Sequence, residues 1–306
     1  MKNLTLSLLL TTAPLFAGVE APIMAPPAPD CDSGFSLGLE ALYLRPYHSE
    51  GAYNEGDFEF GGRGSLGYEF NDCLFVKATY FGYNADVYHD EGDDGPSFTY
   101  ENEADVEVSY LDLVVGQHFK PSEKLTLSPY VGLRWATFDE SGKSTQTSGF
   151  QGINLPGQTI TTYKDSAEFS GLGVVVGIDG TRSFGGGFSL YGTAKQSVVF
   201  GTTDFSSRVD REGGISPVVL VNSDDYSDDR VIFISELGLG VQYAFSFANV
   251  AANIRAGVEG QWWAGASGGS DSKAATLKSG KVISSSSSGS GNAGFGGFVV
   301  GANFVF

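Results

Sequence analysis

The sequence lacks any apolar run long enough for a membrane-spanning helix, and it is poor in basic residues. No window approaches the ~20 uninterrupted apolar residues that such a helix needs, which excludes a helical membrane protein. Lysine and arginine total 18, against 36 aspartates and glutamates. This balance has the wrong sign for non-specific binding to nucleic acid, so no nucleic acid is expected as a partner.

Few residues are available for metal or phosphate chemistry. The chain has three histidines, and its acidic segments 86–107 and 224–229 lack the spacing of a calcium-binding loop. We interpret these segments as solvated acidic loops. The glycine-rich segments 61–64 and 185–188 are not followed by the Lys-Ser or Lys-Thr of a phosphate-binding loop. The sequence therefore predicts no metal site and no cofactor.

The N-terminus has the layout of a secretory signal. Lys2 gives it a positive end, and an apolar core and then small residues follow. We predict a signal peptide over residues 1–17, with an alternative end at residue 21 that Pro22 disfavours. A Pro-rich periplasmic tether would span residues 18–33. In the mature chain, 17 bases against 36 acids give a net charge of −19.

Apolar and polar residues alternate along most of the remaining chain. In residues 250–263, Ile254 and Val258 alternate with Arg255 and Glu259. A period of two predicts β-strands with one apolar and one polar face. The same pattern occurs in seven further segments: 35–43, 58–70, 74–80, 125–136, 188–200, 231–243 and 298–306.

Two further strands are less regular, and they bring the predicted total to ten. Around 106–119 the alternation shifts between Val108 and Leu111, as a β-bulge would produce. The strand between Glu168 and Asp179 is apolar on both faces, so only these two acids indicate which way it faces. We assign both acids to the polar face.

The connections between these strands alternate in length. The short ones lie at 71–72, 120–124, 180–187 and 246–249, and the long ones at 46–57, 85–105, 139–166, 201–229 and 264–292. Tight turns at one end and long loops at the other are the layout of an outer-membrane barrel. We therefore predict an all-β fold over residues 34–306: an antiparallel transmembrane β-barrel of about ten strands, with short periplasmic turns and long extracellular loops. Twelve strands would result if segments near 154–163 or 215–221 also pair.

Alternation alone does not say whether the apolar face meets lipid or a protein core, because a soluble antiparallel sandwich has the same period. Three observations favour lipid: the export signal, strands of about 9–13 residues that suffice to cross a bilayer at a tilt, and two aromatic girdles. The girdle at the long-loop ends contains Tyr43, Tyr80, Trp135 and Trp262, and that at the short-turn ends contains Phe35, Tyr68, Phe70, Phe188, Tyr243 and Phe306. Ile254 and Val258 are thus expected to face acyl chains.

Several segments resemble the Legionella-type major outer membrane protein family of pore-forming barrels. They are 34–46, 110–119, 127–136, 187–201, 236–243 and 258–263, spread along nearly the whole mature chain. The resemblance implies a porin in the outer membrane of a Gram-negative bacterium, and it supplies no catalytic residues. The last strand ends on Phe306 and is similar to the signal that outer-membrane assembly machinery reads.

Charged residues on the predicted inner face define the candidate site. The polar faces carry nine acids and five bases, and rings of carboxylates attract cations. We expect porin-like passive diffusion of ions and small hydrophilic solutes, with a mild cation preference. The pore-lining candidates are Glu40, Glu59, Arg63, Lys77, Asp112, Arg134, Lys195, Glu236, Arg255 and Glu259, and the polar faces also carry Glu69, Glu107, Glu168 and Asp179.

Two other functions are compatible with the sequence. Ten strands lie near the small end of barrel sizes, where side chains can fill the lumen. The first alternative is therefore a structural or adhesive surface barrel in which Arg and Glu side chains pair across a filled lumen. The second, a remote one, is a rim protease with a histidine held by a carboxylate, for which His48 and His89 lie on the outer side. Apart from that hypothesis, the chain is expected to be no enzyme.

Cys31 and Cys73 both fall on the short-turn side of the predicted barrel. In an exported chain they can form an intramolecular disulfide, cross-link neighbouring chains or stay free thiols, and the sequence leaves these alternatives open. The expected partners are outer-membrane lipid, the assembly machinery and the diffusing solutes or ions. An oligomer is compatible with the sequence.

Overall fold

The computed structural model describes residues 33–48, 56–93, 98–148, 159–213, 216–247, 250–270, 273–276, 282–285 and 288–306. The predicted signal peptide and nearly all of the predicted tether lie outside these residues. The described residues contain no helix that is long and apolar enough to cross a membrane.

Thirteen strands are present in the described part of the chain. They are β1 (Gly34–His48), β2 (Glu59–Glu69), β3 (Leu74–Asp93), β4 (Phe98–Gln117), β5 (Phe119–Ser122), β6 (Leu125–Ser148), β7 (Thr159–Gly185), β8 (Phe188–Gly213), β9 (Ser216–Phe247), β10 (Val250–Ser270), β11 (Lys273–Thr276), β12 (Val282–Ser285) and β13 (Ser288–Val305).

Ten long strands form one closed antiparallel sheet. Their order is β4, β3, β2, β1, β13, β10, β9, β8, β7 and β6, and β4 also pairs with β6, which closes the ring. The short strand β5 pairs with β6 near the turn that precedes it, and β11 and β12 form a separate two-stranded ribbon. The predicted ten-stranded β-barrel is confirmed.

In the membrane-spanning part, the two faces of the wall point as predicted. On β10, Ile254 and Val258 are 53% and 52% exposed on the outer face, whereas Glu259 is 7% exposed inside. Tyr80 and Trp135, from the aromatic girdle predicted at the long-loop ends, are also exposed on the outside. The apolar face of the alternating segments therefore covers the outside of the barrel, where a bilayer would solvate it.

The strands continue well beyond the membrane, which corrects the predicted bounds of three of the five long loops. Most of 85–105, 139–166 and 201–229 belongs to strands of the barrel wall. β9 alone has 32 residues, although about 9–11 suffice for a transmembrane strand. The described parts of the segments near 154–163 and 215–221 belong to β7 and β9 and add no strands to the ring.

Above the membrane, the two faces of the wall exchange character. On β4, Val106 and Val108 are fully buried inside, and Glu107 between them is exposed outside. Pairing of β4 with β6 is regular through this region, so the bulge predicted between Val108 and Leu111 is wrong. The shift in alternation marks the level at which the outer face leaves lipid and meets water, while the inner face becomes an apolar core.

Glu107 and Glu168 therefore lie on the outer face, and their assignment to the lumen is wrong. On β7, Ala167 and Phe169 are buried inside, and Glu168 is exposed outside. Both acids lie above the lipid-facing residues of their strands, for example Leu172 on β7. Water can solvate an outward carboxylate at this level, so the inward placement is not required.

Candidate functional site

A layer of eight ionised side chains crosses the inside of the barrel at mid-height. We call it the ionic layer, and its members are Glu40, Asp112, Glu236 and Glu259 together with Arg63, Arg134, Lys195 and Arg255. The side chain of Arg134 has no exposed surface, and that of Glu236 is 2% exposed. Four acids face four bases, so this layer carries no formal net charge.

Three acid–base pairs of the ionic layer lie opposite each other on neighbouring strands. The register places Glu40 against Arg63, Asp112 against Arg134, and Lys195 against Glu236. Arg134 donates from Nε and Nη2 to the two carboxylate oxygens of Asp112, at 2.6 and 2.7 Å. This two-point geometry is the strong form of an Arg–carboxylate contact. Register alone thus brings these charges together.

Other pairs connect strands that are not neighbours. Arg63 on β2 also binds Glu259 on β10, with 2.8 Å between Nη1 and Oε2. Arg134 on β6 reaches Glu236 on β9, with 2.6 Å between Nη2 and Oε1. These contacts tie separate parts of the wall together through the lumen, and they exist only because the sheet is closed.

A glycine makes room for one further bridge of this kind. Gly301 on β13 lies between Glu40 on β1 and Arg255 on β10 in the strand register. A Cβ at this position would lie 2.7 Å from the carbonyl oxygen of Leu39 and 2.8 Å from Cγ of Glu40. The missing side chain lets Arg255 pass over β13 and form its ion pair with Glu40.

Tyr110 is a member of the site that the sequence interpretation missed. Its hydroxyl donates to Glu236 Oε2 at 2.9 Å and accepts from Lys195 Nζ at 3.2 Å. The Arg134 guanidinium lies 3.9 Å from the centre of its ring, within the range of a cation–π contact. Because a bulge was predicted between Val108 and Leu111, Tyr110 was not assigned to the inner face. Alternation without a bulge places Tyr110 on the same face as Asp112, which points inward.

Above the ionic layer, the lumen holds a buried apolar core. Its side chains come from most of the barrel strands and include Leu42, Phe81, Val108, Phe138, Phe169, Ile232, Trp263 and Phe295. The ring of Phe81 stacks on Tyr110 with 4.9 Å between centroids, so the core lies directly on the ionic layer. The inner face of the upper barrel is thus packed like the interior of a soluble protein.

Below the ionic layer, a polar cavity of about 320 Å³ opens toward the short-turn end of the barrel. We call this cavity the vestibule. Asp179 accepts hydrogen bonds there from Lys77 Nζ at 3.3 Å and Thr193 Oγ1 at 2.7 Å. His118 Nδ1 and Ser128 Oγ are hydrogen-bonded at 2.7 Å. These groups give the periplasmic half of the lumen a lining suited to water and small polar solutes.

Eight of the ten predicted pore-lining residues form the ionic layer. Of the other two, Lys77 lies in the vestibule. Glu59 pairs in register with the fully buried Leu44, at the level of the apolar core. Alternation thus identified inward-facing charges, but gave no sign that most of them meet at one height.

A row of acids on the outer face was also missed. Glu107, Asp139, Glu168 and Asp204 occupy matching register positions on β4, β6, β7 and β8. Partial burial, followed by the charges of Glu168 and Glu107, raises the pKa of Asp139 to about 6. Among the described residues, no group of His, Cys, Asp and Glu has an arrangement that could hold a metal ion.

Several predicted residues fall partly or wholly outside the described part of the chain. Cys73 is disulfide-bonded, but Cys31 lies outside the described residues, so pairing within or between chains stays a prediction. The side chains of His48 and His89 are likewise outside them. Phe306 is exposed, and its N–H donates to the carbonyl of Phe35 at 2.9 Å. Its role as an assembly signal stays a prediction.

Solved structures with a similar fold include the outer membrane protease OmpT from Escherichia coli, at 11% identity and a TM-score of 0.44, covering 89% of this chain and 96% of that one. A major outer membrane protein from Thermus thermophilus has 15% identity and a TM-score of 0.37, covering 90% and 99%. The Pseudomonas putida toluene transporter TodX has 9% identity and a TM-score of 0.31, covering 92% of each chain. At these scores the similarities support no inference about function. No curated protein matches the chain.

A family model covers every strand described above. The model, described as Legionella pneumophila major outer membrane protein precursor, matches residues 27–306. This match confirms the resemblance seen in the sequence, and with it a location in the outer membrane of a Gram-negative bacterium. The chain therefore belongs to the family of the Legionella pneumophila major outer membrane protein.

Proposed function

We propose that the chain is a closed-lumen barrel that acts as a structural or adhesive protein of the cell surface, and that it is no constantly open diffusion channel. The ionic layer carries this proposal. Arg134 and Glu236 have side chains that are 0% and 2% exposed, whereas residues lining a water-filled pore would be hydrated. A ten-stranded barrel is also narrow enough for side chains to fill it.

The energetics of the ionic layer favour a lumen that stays closed. A solute that passed this level would have to separate Arg63 from Glu259 or Arg134 from Glu236. Breaking a buried ion pair costs about 3–5 kcal/mol, because each charge loses its partner in a poorly hydrated site. The apolar core above the layer, with Trp263 fully buried, adds a second barrier that water does not readily enter.

The height of the wall supports a role at the surface. β6, β7, β8 and β9 have 24, 27, 26 and 32 residues, about two to three times what a membrane crossing needs. Such strands continue far above the lipid and leave long outer faces available for contacts. A protein that functions only within the membrane would not need strands of this length.

Planar-bilayer recording of the refolded full-length chain tests the proposal. We expect no discrete conductance steps from protein that shows a β-sheet circular dichroism spectrum and heat-modifiable gel mobility, the two checks that the barrel has folded. A sixteen-stranded porin serves as the positive control, because barrels of that size leave an aqueous channel. Discrete steps from the wild-type chain at modest voltage would overturn the proposal.

A second function, a gated channel for ions and small hydrophilic solutes, is favoured by the vestibule. A polar cavity of about 320 Å³ is a suitable waiting site for a solute below a closed constriction. This candidate predicts steps that appear only under a stimulus such as voltage or a change of salt. Replacing Glu40, Glu59 and Glu259 by Gln should then lower any cation preference, and an unchanged preference would remove these residues from the path.

The protease hypothesis has a direct test of its own. Purified wild-type chain in lipid vesicles is incubated with a mixture of unstructured peptides, and cleavage is followed by mass spectrometry. Cleavage that His89→Ala abolishes would support a rim protease. If the wild-type chain cleaves nothing, the hypothesis is discarded.

A further inference from the structure

The outer wall of the barrel carries a groove of about 610 Å³. Its floor contains Gly260 on β10 and Gly296 on β13, which lie opposite each other in the strand register. Val258 and Phe298, the next outward pair, form its lower edge. Leu237 of β9 pairs with Gly260 on the other side and forms a side wall. The groove thus follows the β9–β10–β13 part of the lipid-facing surface.

Neither floor glycine is required by a close contact or by its backbone conformation. A Cβ on Gly260 would meet nothing closer than the Phe295 carbonyl oxygen at 4.0 Å, and a Cβ on Gly296 nothing closer than Tyr47 Cε2 at 3.6 Å. Both are ordinary contact distances, and neither glycine has a positive φ. A methyl group would fit at both positions, so part of the empty space is the consequence of having glycine there.

The neighbouring outward glycine shows the contrast. Gly294 pairs with Trp262 in the register, and a Cβ on it would lie 3.0 Å from Trp262 Cε3. The indole therefore covers Gly294 and ends the groove at its upper side. Because Trp262 belongs to the aromatic girdle on the extracellular side, the open part of the floor lies just below headgroup level, in the outer leaflet.

The side wall opposite Leu237 is built from packed aromatic rings. Phe58 lies 6.3 Å from Phe298 and 5.1 Å from Tyr43, measured between ring centroids. Rings packed against each other hold this edge in place and give the groove a fixed shape. A ligand therefore meets a preformed surface and pays little to organise it.

We propose that the groove binds one acyl chain of an outer-leaflet lipid as a specific, slowly exchanging ligand. The groove is continuous with the lipid-contacting belt, where Leu237 and Val258 are exposed. In hydrocarbon there is no hydrophobic drive for association, so affinity comes from close packing, which small residues permit. A second copy of the chain fits less well, since a two-fold contact would set one concave surface against another and leave a void.

Native mass spectrometry of the full-length chain, extracted from dimyristoyl phosphatidylcholine vesicles with a mild detergent, tests the proposal. The wild-type chain should retain a single lipid. The double variant Gly260→Val with Gly296→Val fills the floor and should lower the retained lipid by roughly five-fold, the change expected from about 1 kcal/mol of lost packing. Gly62→Val is the matched control, because Gly62 is also exposed on the wall and has nothing within 4 Å of its would-be Cβ.

Equal lipid retention in all three proteins would overturn the proposal. A wild-type dimer that dissociates in the double variant would also overturn it, and would assign the groove to a second copy. Should the double variant fail the gel-mobility test of folding, Leu237→Ala removes a side wall without touching the floor. Retention must fall in that variant too, and unchanged retention would again refute the acyl-chain site.

Discussion

Removing one charge from the ionic layer is the sharpest test of whether water hydrates the charged side chains in the lumen. Glu236→Gln keeps the size and shape of the side chain and deletes only its negative charge. In the wild-type chain, Glu236 lies 2.6 Å from Arg134 Nη2 and 3.2 Å from Lys195 Nζ, and it accepts from the Tyr110 hydroxyl. The variant leaves a layer with four bases and three acids, so one positive charge loses its balance.

The expected cost follows from these distances. With an effective dielectric constant of about 20, two unit charges roughly 3 Å apart attract by about 5 kcal/mol. The Gln amide oxygen still accepts a hydrogen bond, which returns about 1 kcal/mol. We therefore expect Glu236→Gln to lower the free energy of unfolding by about 3–5 kcal/mol, the range seen when one partner of a buried pair is removed. Adding Lys195→Gln restores the balance of charge and should recover part of this loss.

The assay is urea unfolding in lipid vesicles, followed by tryptophan fluorescence. Glu103→Gln is the matched control, because Glu103 pairs with Lys143 at 2.9 Å and their side chains are 39% and 43% exposed. An exposed pair contributes about 0–1 kcal/mol. If Glu236→Gln costs no more than Glu103→Gln, water screens the ionic layer. The closed-lumen proposal would then lose its main support.

Three further predictions address other parts of the wall. Gly301→Ala should destabilise the barrel by about 1–3 kcal/mol, because the added Cβ has no room. Gly62→Ala, its control, should change the stability by less than about 0.5 kcal/mol. Equal urea midpoints for the two variants would contradict the steric argument. Ile254→Arg places a charge in lipid and should cost about 2–4 kcal/mol, more than Asn253→Arg, which points into the vestibule; the reverse order would mean that the faces are misassigned. The pKa of Asp139 is raised in the folded chain, so its ionisation opposes folding at neutral pH. Asp139→Asn should accordingly be more stable than wild type near pH ~7.5, where Asp139 is ionised in both states. The difference should shrink below about pH 6 and vanish below about pH 3, where Asp139 is protonated in both states. A constant difference across this range would contradict the raised pKa.

The strand pattern was predictable because it depends on nearest neighbours in the chain. Ile254, Arg255, Val258 and Glu259 lie on the faces that a period of two assigns to them. The same rule failed at Glu107 and Glu168, where the solvent outside the wall changes from lipid to water. Alternation reports that one face differs from the other, and it does not report which solvent each face meets. A β-bulge and a change of the solvent outside the wall both shift the alternation of apolar and polar residues by one position, so the sequence does not distinguish them.

The sequence by itself determined that ten strands alternate, that their apolar faces cover the outside of the membrane-spanning part, and that a set of charged side chains points inward. Only the tertiary structure decided that eight of those charges meet at one height, with Arg63 reaching Glu259 and Arg255 reaching Glu40 across intervening strands. The height of an inward side chain depends on the stagger accumulated from strand to strand around the closed ring. That stagger is a property of the closed sheet, and no local pattern in a single strand records it.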